Sequence, residues 1–169
     1  LIITIANPTG VADQITVQNW YNNNNDYQKI ETFQFADGTS LSAAQVNELG
    51  KNLYGTAEAD SLTALSEGGG RVYGYAGNDV LYGSGGNDML DGGDGDDTIN
   101  DTNSAMGGGN VLRGGAGNDA ICYYGDARNT VEGGAGNDVI TTSYATDNAN
   151  SANLLTGGTG NDRFESCFG

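Results

Sequence analysis

The sequence predicts an all-β fold, a solenoid of stacked coils preceded by a small β-rich segment with one short helix. Three observations carry that expectation. A nine-residue pattern recurs in a single phase, an aliphatic or aromatic side chain closes each copy, and further apolar residues stand at the matching phase in the gaps between copies.

GYAGNDVLY (74–82), GSGGNDMLD (83–91) and GGDGDDTIN (92–100) run consecutively, and GGAGNDAIC (114–122), GGAGNDVIT (133–141) and GGTGNDRFE (157–165) follow at wider intervals. An eroded copy, GTAEADSLT, begins at Gly55. Asp stands sixth in all seven copies, and the eighth residue is Leu62, Leu81, Leu90, Ile99, Ile121, Ile140 or Phe164. A fixed period marks an array whose units bury apolar residues against their neighbours. In the gaps, Val72, Leu112, Val131 and Leu155 each stand two residues before the next first-position Gly, so each supplies another inward residue. One coil then reads turn, strand, irregular loop, strand.

This register puts the turns starting at 55, 74, 92, 114, 133 and 157 on one edge, at spacings of 19, 18, 22, 19 and 24 residues. The opposite edge carries 66–71, 83–88, 101–110, 125–129 and 142–153, where only 83–88 keeps the full pattern. The roll is expected to be lopsided, regular on one edge and built of loops of variable length on the other. Of the tyrosines, Tyr73, Tyr75, Tyr82, Tyr123 and Tyr124 fall mostly at outward phases.

Residues 1–50 lack the pattern. Ile15 to Trp20 reads as a strand, Lys29 to Phe35 alternates and then turns at Asp37-Gly38, and Ser42 with Gln45 forms a capping-box signature for a helix ending at Leu49. The division expected is a β-rich flanking segment over 1–50 and a roll over 51–169.

Composition narrows the chemistry. With 22 acidic and 6 basic residues the net charge is −16, which repels nucleic acid and anionic membranes and attracts cations. Acidic, Gly-rich chains are also found disordered, but disorder does not hold apolar residues at one phase. There is no His and no CxxC, which argues against zinc. The two cysteines, Cys122 and Cys167, fall two coils apart in this register. At about 4.8 Å per coil that is roughly 10 Å, beyond the ~7 Å Cα separation of a disulfide, so free thiols are expected. No apolar run reaches the ~18 residues of a membrane helix. The chain opens on Leu1-Ile2-Ile3 without Met or a signal peptide and reads as a piece of a larger protein.

The nonapeptide GGxGxDxUx resembles the repeat of RTX (haemolysin-type calcium-binding) proteins over residues 55–165. ITVQNW followed by IETFQFADGTSLSAAQVNEL is similar to the segment that commonly accompanies it. The resemblance implies a right-handed parallel β-roll with Ca²⁺ in the turns. It also implies a secreted, extracellular bacterial protein that leaves through type I secretion machinery. Ca²⁺ takes six to eight oxygens, carboxylate and carbonyl, and a single turn offers too few, so two stacked turns must share an ion. The resemblance carries ligand roles to the carbonyls at positions two and four and to the carboxylate at six. These are Gly77 and Asp79; Gly86 and Asp88; Gly93, Gly95 and Asp97; Gly115, Gly117 and Asp119; Gly134, Gly136 and Asp138; and Gly158, Gly160 and Asp162. Asp60 remains in the eroded turn, where Thr56 replaces Gly and a weak or absent site is expected. About four to six Ca²⁺ ions are implied, mostly along one edge.

Other readings fit less well. Metal-free Gly-Asn-Asp turns do not need a carboxylate at every sixth position. No GK[ST] follows for a phosphate loop, and 91–96 lacks the oxygen spacing of an EF-hand. Without His, GxSxG or a zinc motif, no catalytic role is expected within this chain. The function expected is a Ca²⁺-dependent folding and export module serving other domains of the parent. The alternative is an adhesin-type carbohydrate- or ice-binding surface on the same roll.

Overall fold

In the computed structural model the chain divides into two compact units, residues 1–50 and 51–169. The structure describes residues 2–5, 13–16, 32–34, 40–42, 44, 45, 48, 51–64, 69–101, 109–124, 128–143 and 152–166.

In the first unit, β1 (Ile2–Ile5) pairs antiparallel with β2 (Asp13–Thr16), and β3 (Thr32–Gln34) pairs antiparallel with β4 (Ser40–Ser42). The strand expected from Ile15 starts earlier, at Asp13, and Val17 to Trp20 lie outside the described residues. β1 and β4 were not anticipated. Ala44, Gln45 and Glu48 are helical, and the capping box is formed. Gln45 Oε1 accepts the Ser42 N–H at 2.9 Å, and the Ser42 hydroxyl accepts the Gln45 N–H at 3.3 Å. The other residues of the expected helix lie outside the described residues.

The second unit is a parallel β-solenoid of two six-stranded sheets. One sheet holds β5 (Asn52–Tyr54), β7 (Arg71–Ala76), β9 (Met89–Asp94), β11 (Val111–Ala116), β13 (Thr130–Ala135) and β15 (Leu154–Thr159). The other holds β6 (Ser61–Thr63), β8 (Val80–Tyr82), β10 (Thr98–Asp101), β12 (Ala120–Tyr124), β14 (Val139–Ser143) and β16 (Arg163–Ser166). Successive strands alternate between the sheets, so each coil gives one strand to each.

The core is two columns of side chains in register. Leu53, Val72, Leu90, Leu112, Val131 and Leu155 align across one sheet. Leu62, Leu81, Ile99, Ile121, Ile140 and Phe164 align across the other. These are the eighth-position and half-repeat residues of the sequence. Val72, Leu81, Leu90, Ile99 and Leu112 are fully buried, whereas Leu155 and Phe164 in the last described coil are exposed. In the first sheet a first-position Gly takes the inward position after each of these residues, and in the second the sixth-position Asp takes the one before it.

Tyr123 departs from the outward phase. It is 2% exposed and extends the inward set of β12, two residues beyond Ile121. Tyr75 and Tyr82 are exposed, and Tyr73 and Tyr124 are half-buried. Cys122 is half-buried on β12, and Cys167 lies outside the described residues.

Candidate metal centre

Each turn on the first edge places its sixth residue inward and hydrogen-bonds it to the preceding coil. The N–H of Asp60 donates to Asp79 Oδ1 at 2.7 Å, and that of Asp79 to Asp97 Oδ1 at 2.8 Å. Asp97 donates to Asp119 Oδ1 at 2.8 Å, Asp119 to Asp138 Oδ1 at 2.9 Å, and Asp138 to Asp162 Oδ1 at 3.1 Å. The residues joined are 19, 18, 22, 19 and 24 apart, so variation in coil length is absorbed elsewhere.

Only one oxygen of each carboxylate is used in this way. The Oδ2 atoms of Asp79, Asp97, Asp119 and Asp138 are buried without a hydrogen-bond partner. A buried carboxylate oxygen left unpaired is expensive, and four in a line are not accidental leftovers. Burial, then the neighbouring carboxylates, pushes the metal-free Asp97 up to about 6 and Asp119 up to about 7, against the pull of their backbone hydrogen bonds. Asp138 is raised by the same burial. Among the described residues no ion pair reaches these carboxylates. The ion pairs among the described residues join Arg113 to Asp91 and Glu132, and Arg163 to Glu165.

The glycines split into two kinds. At positions two and four the backbone is left-handed: φ is 107° at Gly93, 120° at Gly115, 136° at Gly117 and 140° at Gly136. Their carbonyls form columns, since a Cβ on Gly115 would strike the Gly93 carbonyl and one on Gly117 the Gly95 carbonyl. Gly134, Gly136, Gly158 and Gly160 continue the two columns, and Gly77 begins the second. Position one is different. Gly74, Gly92, Gly114, Gly133 and Gly157 have no positive φ, but a Cβ there would collide with the carboxylate of the sixth residue in the same turn. The first-position glycines thus make room for the Asp.

Position two of the 74–79 turn is Tyr75, with φ 79°. A side chain there costs about 1–2 kcal/mol. The Tyr75 ring stacks on Tyr54, centroids 6.2 Å apart, and Tyr54 also stacks on Tyr73 at 5.4 Å.

In the eroded turn, Thr56 takes up the carboxylate. Its N–H and hydroxyl donate to Asp60 Oδ2 at 2.6 and 2.9 Å. Position four there is Glu58.

Two further ladders escaped the sequence reading. At position five, side chains reach the next coil from outside: Asp96 N–H donates to Asn78 Oδ1, Asn118 N–H to Asp96, Asn137 N–H to Asn118 and Asn161 N–H to Asn137, at 2.6–3.0 Å. Among the described residues, the opposite edge also carries a hydrogen-bonded column at the sixth position. Gly70 N–H donates to Asp88 Oδ1 at 2.6 Å, Asp88 to Asn110 Oδ1 at 2.9 Å, Asn110 to Asn129 at 3.0 Å and Asn129 to Asn153 at 2.9 Å. Asp88, with Gly86 at φ 111° in its turn, is the one carboxylate in that column, the others being amides or Gly.

Among the described residues no three acidic, His or Cys side chains converge. An ion on the first edge must draw on two carboxylates and on backbone carbonyls. The donors are all hard oxygens, which fit Ca²⁺. A parallel solenoid whose stacked turns align buried, half-satisfied carboxylates with columns of backbone carbonyls is a repeat protein of the β-roll class. The RTX calcium-binding nonapeptide repeat matches in four copies, 65–99, 100–122, 123–148 and 149–165, and the chain belongs to that family. Residues 1–45 match the haemolysin-type calcium binding protein related domain. No individual curated protein and no solved structure matches.

Proposed function

We propose that residues 51–169 form a calcium-driven folding module of a secreted protein. The observation that carries this reading is the line of unpartnered buried oxygens on Asp79, Asp97, Asp119 and Asp138. The ions would be held by these carboxylates, by Asp162, and by the carbonyls at positions two and four: Gly77, Gly93, Gly95, Gly115, Gly117, Gly134, Gly136, Gly158 and Gly160. Bound Ca²⁺ would supply positive charge that joins one coil to the next. Asp60, already saturated by Thr56, would add little.

Magnitudes support a switch. For a site with Kd near 10⁻⁴ M, about 1 mM Ca²⁺ contributes roughly 1.4 kcal/mol. Four such sites would contribute about 6 kcal/mol, comparable to the whole stability of a small domain. Without the ion, mutually repelling carboxylates oppose a coil held by only two buried aliphatics. The chain would therefore stay unfolded and threadable where Ca²⁺ is scarce, and fold outside the cell. RTX repeats are typical of secreted bacterial proteins, and export through a type I channel follows naturally from that behaviour.

Far-UV circular dichroism of the full chain across a Ca²⁺ titration from EDTA tests this. Induction of β-structure by millimolar Ca²⁺ is expected. An unchanged β spectrum in EDTA would overturn the switch.

A second reading has one observation in its favour. Tyr54 and Tyr75, both more than half exposed, stack with Tyr73 and form an aromatic surface of the kind that receives sugar rings. A glycan array on the folded chain tests it, with loss of any signal in Tyr54→Ala expected.

A further inference from the structure

Tyr75 stands where the four following coils place Gly. Its register partner is Gly93, and Gly115, Gly134 and Gly158 continue that position through β11, β13 and β15. Those glycines take left-handed backbone, and Tyr75 takes it with a side chain, the one non-Gly residue at positive φ among the described residues. Strain of this kind persists only where the surroundings enforce it, and it clusters at ligand sites. The ring is 55% exposed and outside the buried core, so burial does not account for it.

The orientation of the ring gives it a use. Tyr73 and Tyr75 share the outward phase of β7, and both rings are nearly parallel to that of Tyr54 on β5, at 13° and 10°. Tyr54 therefore covers one face of a two-ring wall. The other face looks along the roll axis towards β9, where the residue beside Tyr75 is Gly93 and carries no side chain. From Gly93 to Gly158 the same position is a strip of bare backbone, its coils about 4.8 Å apart. Beside that strip runs a row of polar groups, Asp91, Arg113 and Glu132, register partners on β9, β11 and β13. Arg113 lies 4.0 Å from Asp91 and 3.6 Å from Glu132, both longer than a hydrogen bond. The row thus keeps N–H donors and carboxylate acceptors for a ligand, and all three side chains are partly exposed.

These features match the chemistry of a sugar chain. A pyranose ring presents a face of C–H groups to an aromatic ring and hydroxyls at its rim to carboxylate and guanidinium. Bare Gly backbone lets it approach closely. The net charge of −16, and two acids against one Arg in the row, turn away an acidic polysaccharide.

We propose that Tyr75 is the end wall of a trough for a neutral, linear polysaccharide, which lies along the roll axis over Gly93 and Gly115 while Asp91, Arg113 and Glu132 bond its hydroxyls. This rests on the sugar-surface reading of the tyrosines above and adds to it the class of glycan and its path.

Isothermal titration calorimetry of the full chain in millimolar Ca²⁺ tests this with cellohexaose, xylohexaose and mannohexaose, their disaccharides, and hexagalacturonate. At least one neutral hexaose should bind, and more tightly than its disaccharide, because a chain along the axis gains contacts coil by coil. Tyr75→Gly restores the residue of the following coils and relieves the strained backbone. It should fold at a Ca²⁺ midpoint no higher than that of wild type, yet weaken hexaose binding by at least about tenfold. Arg113→Gln leaves the tyrosines untouched and should weaken binding severalfold; it carries the test should Tyr75→Gly not fold. Binding lost in Tyr54→Ala but unchanged in Tyr75→Gly and Arg113→Gln would overturn the trough and leave the sugar-surface reading standing. Tighter binding of hexagalacturonate than of every neutral hexaose would overturn the proposal as well, and no binding of any oligosaccharide would overturn both.

Discussion

The backbone N–H of Asp97 donates to Oδ1 of Asp119, 22 residues later and one coil on, at 2.8 Å, while Oδ2 of Asp119 is buried with no partner. A single carboxylate thus does two things. One oxygen fastens the preceding turn directly, and the other, under the proposed function, would bind a cation.

Substitution of Asp119 should therefore hurt more than substitution of Asp88. Asp119 has carboxylates on both sides, Asp97 and Asp138, and its loss disrupts two adjoining gaps and the Asp97 N–H bond. Asp88 has uncharged sixth-position neighbours. Asp119→Ala is expected to raise the Ca²⁺ midpoint for folding beyond Asp88→Ala by about 1–2 kcal/mol equivalent, one site's contribution. Parallel titrations followed by circular dichroism decide, and equal midpoints would contradict the one-sided ladder.

Acid should partly replace the metal. With burial as the main cause, Asp97 titrates at about 6 and Asp119 at about 7 in the metal-free fold, above the ordinary carboxylate value of 3.8. An acid raised in the folded state binds its proton more tightly there, so its contribution favours folding below the unfolded value and disappears as pH rises through about 6 to 7. In EDTA, β-structure is expected to increase as pH falls from about 8 to about 5. In Ca²⁺ the apparent affinity should fall over the same interval, because protons compete for the same oxygens. Loss of metal-free β signal on acidification would count against the ladder's role.

Gly114→Ala isolates the first-position requirement. The backbone at Gly114 has no positive φ, yet an added Cβ would meet the Asp119 carboxylate and the Gly133 carbonyl. Overpacking of this kind costs about 1–3 kcal/mol, and here it would also displace a proposed ligand. The expected outcome is a clearly higher Ca²⁺ midpoint, read by circular dichroism at fixed ionic strength. A midpoint unchanged from wild type would show that the turn relaxes freely.

Much of this was legible in advance, and the gaps have physical causes. The inward columns from Leu53 to Leu155 and from Leu62 to Phe164 could be read because strand alternation and turn length are local and repeat in phase. The second-edge amides could have been found by aligning on the apolar residues. Asn110, Asn129 and Asn153 stand two before Leu112, Val131 and Leu155, the offset of Asp97 from Ile99. They were missed because Asn is an ordinary turn residue and carries no charge to draw notice.

By itself, then, the sequence determined the repeat, its apolar phase and the acidic, oxygen-only donor set along one edge, since all of these reside in contiguous nonapeptides. Only the tertiary structure decided which oxygens remain over. That Asp97 spends one oxygen on its predecessor's turn, that Asp138 is joined to Asp162, and that Asp101 lies against Gly83 all depend on register between coils 18–24 residues apart. Loops of unequal length separate those coils, so their sequence spacing does not encode that register; the stacking of buried side chains and backbone hydrogen bonds does.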